Sequence, residues 1–401
     1  MLDLYSLLSL MIVSFLTIVL FLFYEYKIDK QLYSKSLSRN KPDGEKFITE
    51  SKPAISVVIP ITNQNSTLKD IIPVLFNQKY DGRFEVIVIN QETANHVANE
   101  LDKLKEHYEK LRSISISNTL KHISLRKLAI TLGVKSVRNE WVILLNPDTI
   151  PSNLYWLKTF ASQLTDDVDM VSAYYNYTYD DEHKNISKRL IFDRIKDFNL
   201  KFYALAHHVV LGCNDANFAI RKKSFLDSEG FSDCLELSHS EFDVLAANKI
   251  APERMRYVYS SLLLVDDFIP LTQKELKTIK LRKIETICYL KGDVLKYFTL
   301  DYLASTLYSI IVIGFIIYFI VYSAYAFNHE ITLQDFNMNL ILLLEVILFI
   351  YLSSYSLRKT LKIMQEEKCM SYAYIYRFVE SVLTILVIIS YIKNKVRRQS
   401  I

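Results

Sequence analysis

Apolar residues in this chain are bunched, and the bunching limits what it can fold into. From Tyr5 to Tyr24 no side chain is charged. A helix of about 20 such residues is long enough to cross ~30 Å of hydrocarbon. A cleaved signal peptide would open on basic residues, carry a shorter apolar core and exit through small residues. This segment opens Met-Leu-Asp and ends Phe21-Leu22-Phe23-Tyr24 before Glu25, the pattern of an uncleaved anchor. Two more runs, Leu303 to Phe327 and Met338 to Leu357, lie near the other end. A third, Ala373 to Ile392, carries Arg377 and Glu380 one helical turn apart, spaced to pair with each other.

Lysine and arginine stay on the cytoplasmic side of a bilayer. Lys27, Lys30, Lys35, Arg39 and Lys41 follow the first anchor, which places the middle of the chain in the cytoplasm. Residues 328–337 hold no Lys or Arg and fit the far side; Arg358, Lys359 and Lys362 return to the near side. If 373–392 also crosses, the tail Lys393, Lys395, Arg397 and Arg398 ends on the wrong side. Either that segment stops short of crossing or the tail is an exception.

Between the apolar ends the pattern is that of a folded domain. Residues 25–52 are polar, with Pro42 and Gly44, and read as a linker. Ala54 to Pro60, Phe84 to Ile89, Ser113 to Ser117 and Trp141 to Leu145 are short β-branched runs, as buried parallel strands should be. Helical patterns separate them. One is capped at Asn65 or Ser66, continues to Leu75 and is expected to kink at Pro73; the others span 94–108 and 125–137. This alternation predicts an α/β fold with a mostly parallel sheet flanked by helices.

Open parallel sheets bind ligands beyond the carboxyl ends of their strands. The residues just past the strands are therefore the ones to inspect: 61–64, 90–93 and 146–149, all polar. In Asn146-Pro147-Asp148-Thr149, the Asp148 carboxylate is placed to hold a divalent cation against a diphosphate. The same residue could instead make an Asx-type turn capping a helix near Asn153. The four cysteines show no metal-type spacing, and Cys213, Cys234 and Cys288, in the expected cytoplasmic part, are expected to be reduced structural thiols. A net charge of +4 gives no reason to invoke nucleic acid, and none of the seven glycines builds a G-x-G-x-x-G loop.

The motifs at these positions resemble glycosyltransferase family 2, whose catalytic domain has the GT-A fold. The resemblance runs from about residue 54 to 290. Ser56-Val57-Val58-Ile59-Pro60 with Asn63 is similar to the opening strand, which ends in Pro and an Asn near the nucleotide. Phe84 to Asn90 resembles the second strand, which normally ends in aspartates that touch the base. Lys127-Leu128-Ala129 resembles the Lys-x-Ala element. Trp141 to Asp148, with Pro151 and Trp156-Leu157, is similar to the stretch around Asp-x-Asp. Gly212 to Lys222, with Gly230-Phe231, resembles the acceptor-side strand and turn.

Every departure from the family falls on an acid. Asn90-Gln91 stands where the family has aspartates, Asn146-Pro147-Asp148 keeps only the last carboxylate, and Ser240-Glu241-Phe242-Asp243 is the counterpart of the later acidic pair. The Gln-x-x-Arg-Trp of processive synthases is absent; only Gln273 and the basic Lys280, Arg282 and Lys283 stand nearby.

The resemblance implies a site of the following kind. Glu241 is the candidate base, with Asp243 the alternate and His239 a lesser proton acceptor; as first-turn helix acids both carboxylates would look the same. Asp148 is the metal ligand for Mg2+ or Mn2+. Pro60, Asn63, Asn90, Glu92, Lys127 and Asn146 line the nucleotide-sugar, although turn residues at 63, 90 and 92 would read alike. Lys274 to Lys296 mixes basic residues with Leu276, Ile279, Ile284, Ile287 and Leu290 on one face, the pattern of a helix on an anionic membrane surface.

The expected order is an anchor over 1–24, a linker over 25–52, a GT-A domain over 53–272, an interfacial segment over 273–300 and a membrane region of two or three helices over 301–401. The function this implies is sugar transfer from a nucleotide-sugar donor to a glycan or lipid-linked acceptor at the bilayer. It would be carried out by an integral protein of the inner or plasma membrane with its catalytic domain cytoplasmic, in contact with membrane lipids and not with nucleic acid. The weakened acidic motifs keep open a silent relative that serves as a binding or assembly protein.

Overall fold

The computed structural model describes residues 12, 15–16, 18–24, 26–28, 52–61, 68–91, 95–116, 124–177, 184–237, 239–267, 272–328 and 332–399. The chain divides into two compact units: residues 36–191 with 204–295, and residues 1–35 with 192–203 and 296–401.

The first unit is built on a seven-stranded sheet in the order β3-β2-β1-β4-β8-β6-β9. Its strands are β1 (Ile55–Pro60), β2 (Phe84–Gln91), β3 (Leu111–Ile116), β4 (Trp141–Leu144), β6 (Met170–Ala173), β8 (Phe218–Arg221) and β9 (Met255–Val258). All six residues of β1 are buried. Parallel strands pair with both of its edges, and its complete burial shows both faces covered, which a continuous Val/Ile run satisfies. Each fully buried Val or Ile contributes about 1.5–3 kcal/mol. The helix Leu125–Ser136 lies so close to β1 that a Cβ on Gly133 would stand 2.6 Å from Val58 Cγ1. Only glycine permits that approach.

Register aligns the strand ends that matter. The Ile61 N–H donates to Ile89 O at 2.8 Å and the Leu145 N–H to Val58 O at 3.1 Å. Ile61, Asn90 and Asn146 therefore leave the sheet along one edge. At the opposite end Glu85 ties three strands: it accepts from Ser56 Oγ at 2.7 Å, Arg112 Nη1 at 2.9 Å and the Arg138 N–H at 2.9 Å. Burial pushes this carboxyl up, but the donors from Arg138, Ser56 and Arg112 together hold it below the usual range.

Several expectations need adjusting. The helix after β1 is Ile71–Phe76, so Pro73 sits in its first turn, where no intrahelical N–H partner is needed, and produces no kink. The proposed caps Asn65 and Ser66 lie outside the described residues. β8 enters antiparallel between β4 and β6. A second sheet, β5 (Thr149–Pro151), β10 (Val265–Asp267) and β7 (Asn176–Tyr177), carries the chain away from the end of β4.

In the second unit, helices Val294–Phe327 and Phe336–Ile363 are long and apolar enough to cross a membrane. The third segment divides into Glu367–Tyr376 and Phe378–Lys393, bent by 60°, and qualifies only if the two pieces act as one span. Helical residues 18–24 pack into the same unit: the Phe21 ring lies 5.4 Å from Tyr308 and 5.5 Å from Phe349. The rest of the expected anchor is largely outside the described residues, as is the Arg377 side chain; Glu380 accepts from Thr384 at 3.1 Å. Two acidic side chains inside this unit are engaged, with Lys196 3.1 Å from Asp301 and Tyr376 donating to Asp193 at 2.5 Å, as a low-dielectric interior favours.

Candidate functional site at the carboxyl edge of the sheet

β4 ends in a turn closed by the Thr149 N–H on Asn146 O at 3.0 Å, so Asn146, Pro147 and Asp148 project beyond the sheet. Asp148 is exposed, and among the described residues its carboxylate has neither a hydrogen bond nor an ion pair. It caps no helix: the nearest one starts at Trp156, and it is Asn153 that accepts from the Tyr155 N–H at 2.9 Å. Partial desolvation by the surrounding protein raises the Asp148 carboxyl above its ordinary value. A carboxylate with no internal cation is stabilised in its charged form by an external one, so Asp148 fits a divalent ion completed by diphosphate oxygens. Two buried oxygens at strand ends, Asn90 Oδ1 and Thr149 Oγ1, have no hydrogen-bond partner among the described residues. Asn90 is 2% exposed at the end of β2, where an orphaned acceptor fits a ligand donor. Pro60 is buried and closes β1. Asn63 and Glu92 lie outside the described residues.

Glu241 opens the helix Glu241–Lys249, behind Ser240 in the left-handed region at φ 50°. Its side chain is 1% exposed, and its Oε1 accepts from Arg126 Nε at 2.7 Å. The same guanidinium donates through Nη1 to Asn146 Oδ1 at 3.1 Å. Arg126 thus joins the end of β4 to the start of the later helix, bringing two of the expected site residues together. Sequence reasoning passed over Arg126 for its neighbour.

Lys127 faces elsewhere. Its ammonium is buried and donates to Cys234 O and to Leu235 O, the latter at 3.1 Å. Burial lowers its pKa against the raising influence of Cys234 and Glu241. Lys127→Met is expected to lower unfolding stability by about 1–3 kcal/mol, the cost of leaving such acceptors unpaired, with nucleotide binding unchanged. Lost binding at unchanged stability in a denaturant titration would instead put the Lys127 ammonium on the donor.

Asp243 lies on another side of its helix. Its Oδ1 accepts the Cys213 N–H at 2.9 Å. Gly212, at φ 141°, makes room for that carboxylate: a Cβ there would stand 2.4 Å from Asp243 Oδ1. Cys213, Asp215 and Asp243 offer ligand atoms within 4.8 Å of one another. This sulfur-containing set suits zinc better than magnesium. Its closeness also follows from the cluster's own bonds, since Cys213 Sγ lies 3.8 Å from Asp215 Oδ1.

Asn214 and Asn217 of the acceptor-side motif brace the site from below. Asn214 Nδ2 donates to Ala173 O at 2.8 Å; Asn217 Nδ2 donates to Tyr174 O at 2.9 Å and Leu263 O at 2.7 Å. His239 sits beside the helix Gln273–Ile287, its Nε2 3.2 Å from Arg282 O, and burial pushes its imidazole down. That helix opens with a capping box of Thr272 and Glu275, buries Leu276 and exposes Lys274, Lys277 and Arg282.

No curated protein sequence matches the chain. Among solved structures, it is similar to the mannosyltransferase PcManGT from Pyrobaculum calidifontis, determined with GDP-Man and Mn2+. That likeness has 12% identity and a TM-score of 0.54, covering 93% of this chain and 97% of that one. It shows the fold: GT-A. S. aureus TarS 1–349 is similar at 14% identity and a TM-score of 0.38, over 85% of this chain and 92% of that one; so loose a likeness carries no argument. Residues 56–227 match the sequence profile named Glycosyl transferase family 2. That match, on a GT-A sheet, makes residues 56–227 similar to glycosyl transferase family 2.

Proposed function

We propose that this chain transfers a sugar from a nucleotide-sugar donor to a membrane-associated acceptor, a glycan or a lipid-linked sugar. One observation carries the reading: Arg126 joins Asn146, at the strand end that presents Asp148, to Glu241. A potential cation ligand, a guanidinium suited to phosphate and a potential proton acceptor thus belong to one network. Asp148 holds a Mg2+ or Mn2+ ion, which supplies positive charge against the leaving diphosphate. Asn90 and Asn146 contact the nucleotide, and Pro60, Asn63 and Glu92 complete its surround. Lys127 supports the site from behind. The exposed lysines of the helix Gln273–Ile287 meet anionic lipid headgroups. Incubation of the detergent-purified protein with a nucleotide-sugar panel and a membrane lipid extract tests this reading, with a labelled glycolipid as the expected product.

The second reading is a silent relative that kept the fold for binding or assembly. Two observations favour it: Glu241 is closed in an ion pair, and Asn90 and Asn146 stand where the family carries acids. Such a protein binds no nucleotide-sugar, or binds one without turnover.

The first unit lies in the cytoplasm, because the basic residues from Lys27 to Lys41 follow the first anchor. A cysteine introduced by Asp166→Cys is therefore expected to resist a membrane-impermeant thiol reagent in intact cells and to react after permeabilisation. Labelling of intact cells would reverse the orientation.

A further inference from the structure

The ion pair that counts against catalysis can be read as its control. Glu241 is 1% exposed, and its Oε1 is held by a guanidinium whose own side chain is 26% exposed. Arg126 uses Nε on Glu241 and Nη1 on Asn146. Among the described residues its Nη2 has no partner. A half-engaged guanidinium fork beside a strand end that suits a diphosphate is an anion receptor with donors to spare. Lys127, the neighbouring cation, is committed to the carbonyls of Cys234 and Leu235 and does not compete for the anion.

We propose that Arg126 is a latch that holds Glu241 inactive until the donor's diphosphate draws the guanidinium away. The inference rests on the glycosyltransferase reading and adds a control to it. A carboxylate oxygen that already accepts from a guanidinium at 2.7 Å is closed to an incoming hydroxyl. Once the guanidinium turns away, Oε1 loses its donor and is free to accept a hydrogen bond from the acceptor's hydroxyl. A single side-chain movement therefore places positive charge on the leaving group and uncovers the oxygen of the base. In the step that follows, the acceptor oxygen forms a bond to the anomeric carbon as that carbon's bond to the diphosphate oxygen breaks. The electron pair leaves on the diphosphate beside Arg126, and the acceptor's proton passes to Glu241. Without donor the base stays closed.

The latch makes a prediction that a plain base or a structural ion pair does not. Part of the donor's binding free energy goes into breaking Arg126 away from Glu241, so removing the Glu241 charge should tighten nucleotide binding. In calorimetry of the full-length detergent-purified protein with UDP, GDP, ADP and dTDP in the presence of manganese, Glu241→Gln is expected to bind the preferred nucleotide about 10- to 100-fold more tightly than the wild type. That range is typical for the release of one charge-assisted hydrogen bond. Arg126→Gln is expected to weaken binding by a similar factor, and the double variant to bind as weakly as Arg126→Gln alone. If Glu241→Gln fails to fold, Glu241→Asp, which keeps the charge but shortens the reach to Arg126, is expected to tighten binding by a smaller factor. Equal or weaker binding by the folded Glu241 variant, with a wild type that binds, overturns the latch and leaves the glycosyltransferase reading standing. Absence of binding by the wild type and every variant overturns both.

Discussion

Glu241→Gln is expected to lower sugar transfer by about 10²–10⁴-fold, the usual contribution of a positioned general base. Glutamine keeps the shape but lacks the charge that holds Arg126 and cannot take the acceptor's proton, so donor binding survives, and tightens, while turnover falls. Asp243→Asn is the neighbouring control. The Oδ1 of Asp243 accepts the Cys213 N–H, and an asparagine carbonyl can do the same, so this change should cost far less. A larger loss at Asp243 would make Asp243 the base and leave the enzyme reading intact. Full transfer by both variants would remove acid–base chemistry from this helix.

The second large effect is expected at Asp148. Its carboxylate is exposed and makes no internal hydrogen bond or ion pair among the described residues, so Asp148→Asn removes nothing the fold depends on. The melting temperature should stay nearly unchanged, as for surface substitutions in general. Manganese-dependent nucleotide binding should be abolished, because the neighbouring position of the motif is already the neutral Asn146. A variant that binds metal and nucleotide as before would reduce Asp148 to a turn residue and move attention to Cys213, Asp215 and Asp243, whose ligand atoms already converge.

The central strands were legible in the sequence because burial on both faces leaves a continuous β-branched run. β1, β2 and β4 lie within a residue or two of their expected bounds. The antiparallel entry of β8 and the three-stranded sheet were not legible, because strands of two to four residues take their register from distant partners. Asp148 could be found because the strand-end rule points at the residues following Leu145. Arg126 could not: a helix was evident over 125–137, but not which of two adjacent cations turned toward the site. Neighbouring helical residues point about 100° apart, and that rotation sends Lys127 to the carbonyls of Cys234 and Leu235 while Arg126 meets Glu241. The Lys-x-Ala pattern drew attention to Lys127 and not to Arg126. Side-chain closure of Glu241 was equally invisible, since it depends on a guanidinium far away in the sequence.

The membrane assignment divides in the same way. Hydropathy located both long C-terminal helices, because a span needs only length and apolarity. A bend of 60° separates Glu367–Tyr376 from Phe378–Lys393. It falls in the segment whose crossing the basic tail had already put in conflict with the positive-inside rule.

The nucleotide itself gives the most direct measurement, because four common nucleoside diphosphates cover far more donors than any panel of sugars. The full-length protein in detergent is titrated calorimetrically with UDP, GDP, ADP and dTDP, with and without manganese. Saturable binding of one of them that requires manganese and disappears in Asp148→Asn is the predicted result. No binding to any of the four, by a protein whose melting transition shows it folded, would contradict a nucleotide-sugar-dependent transferase.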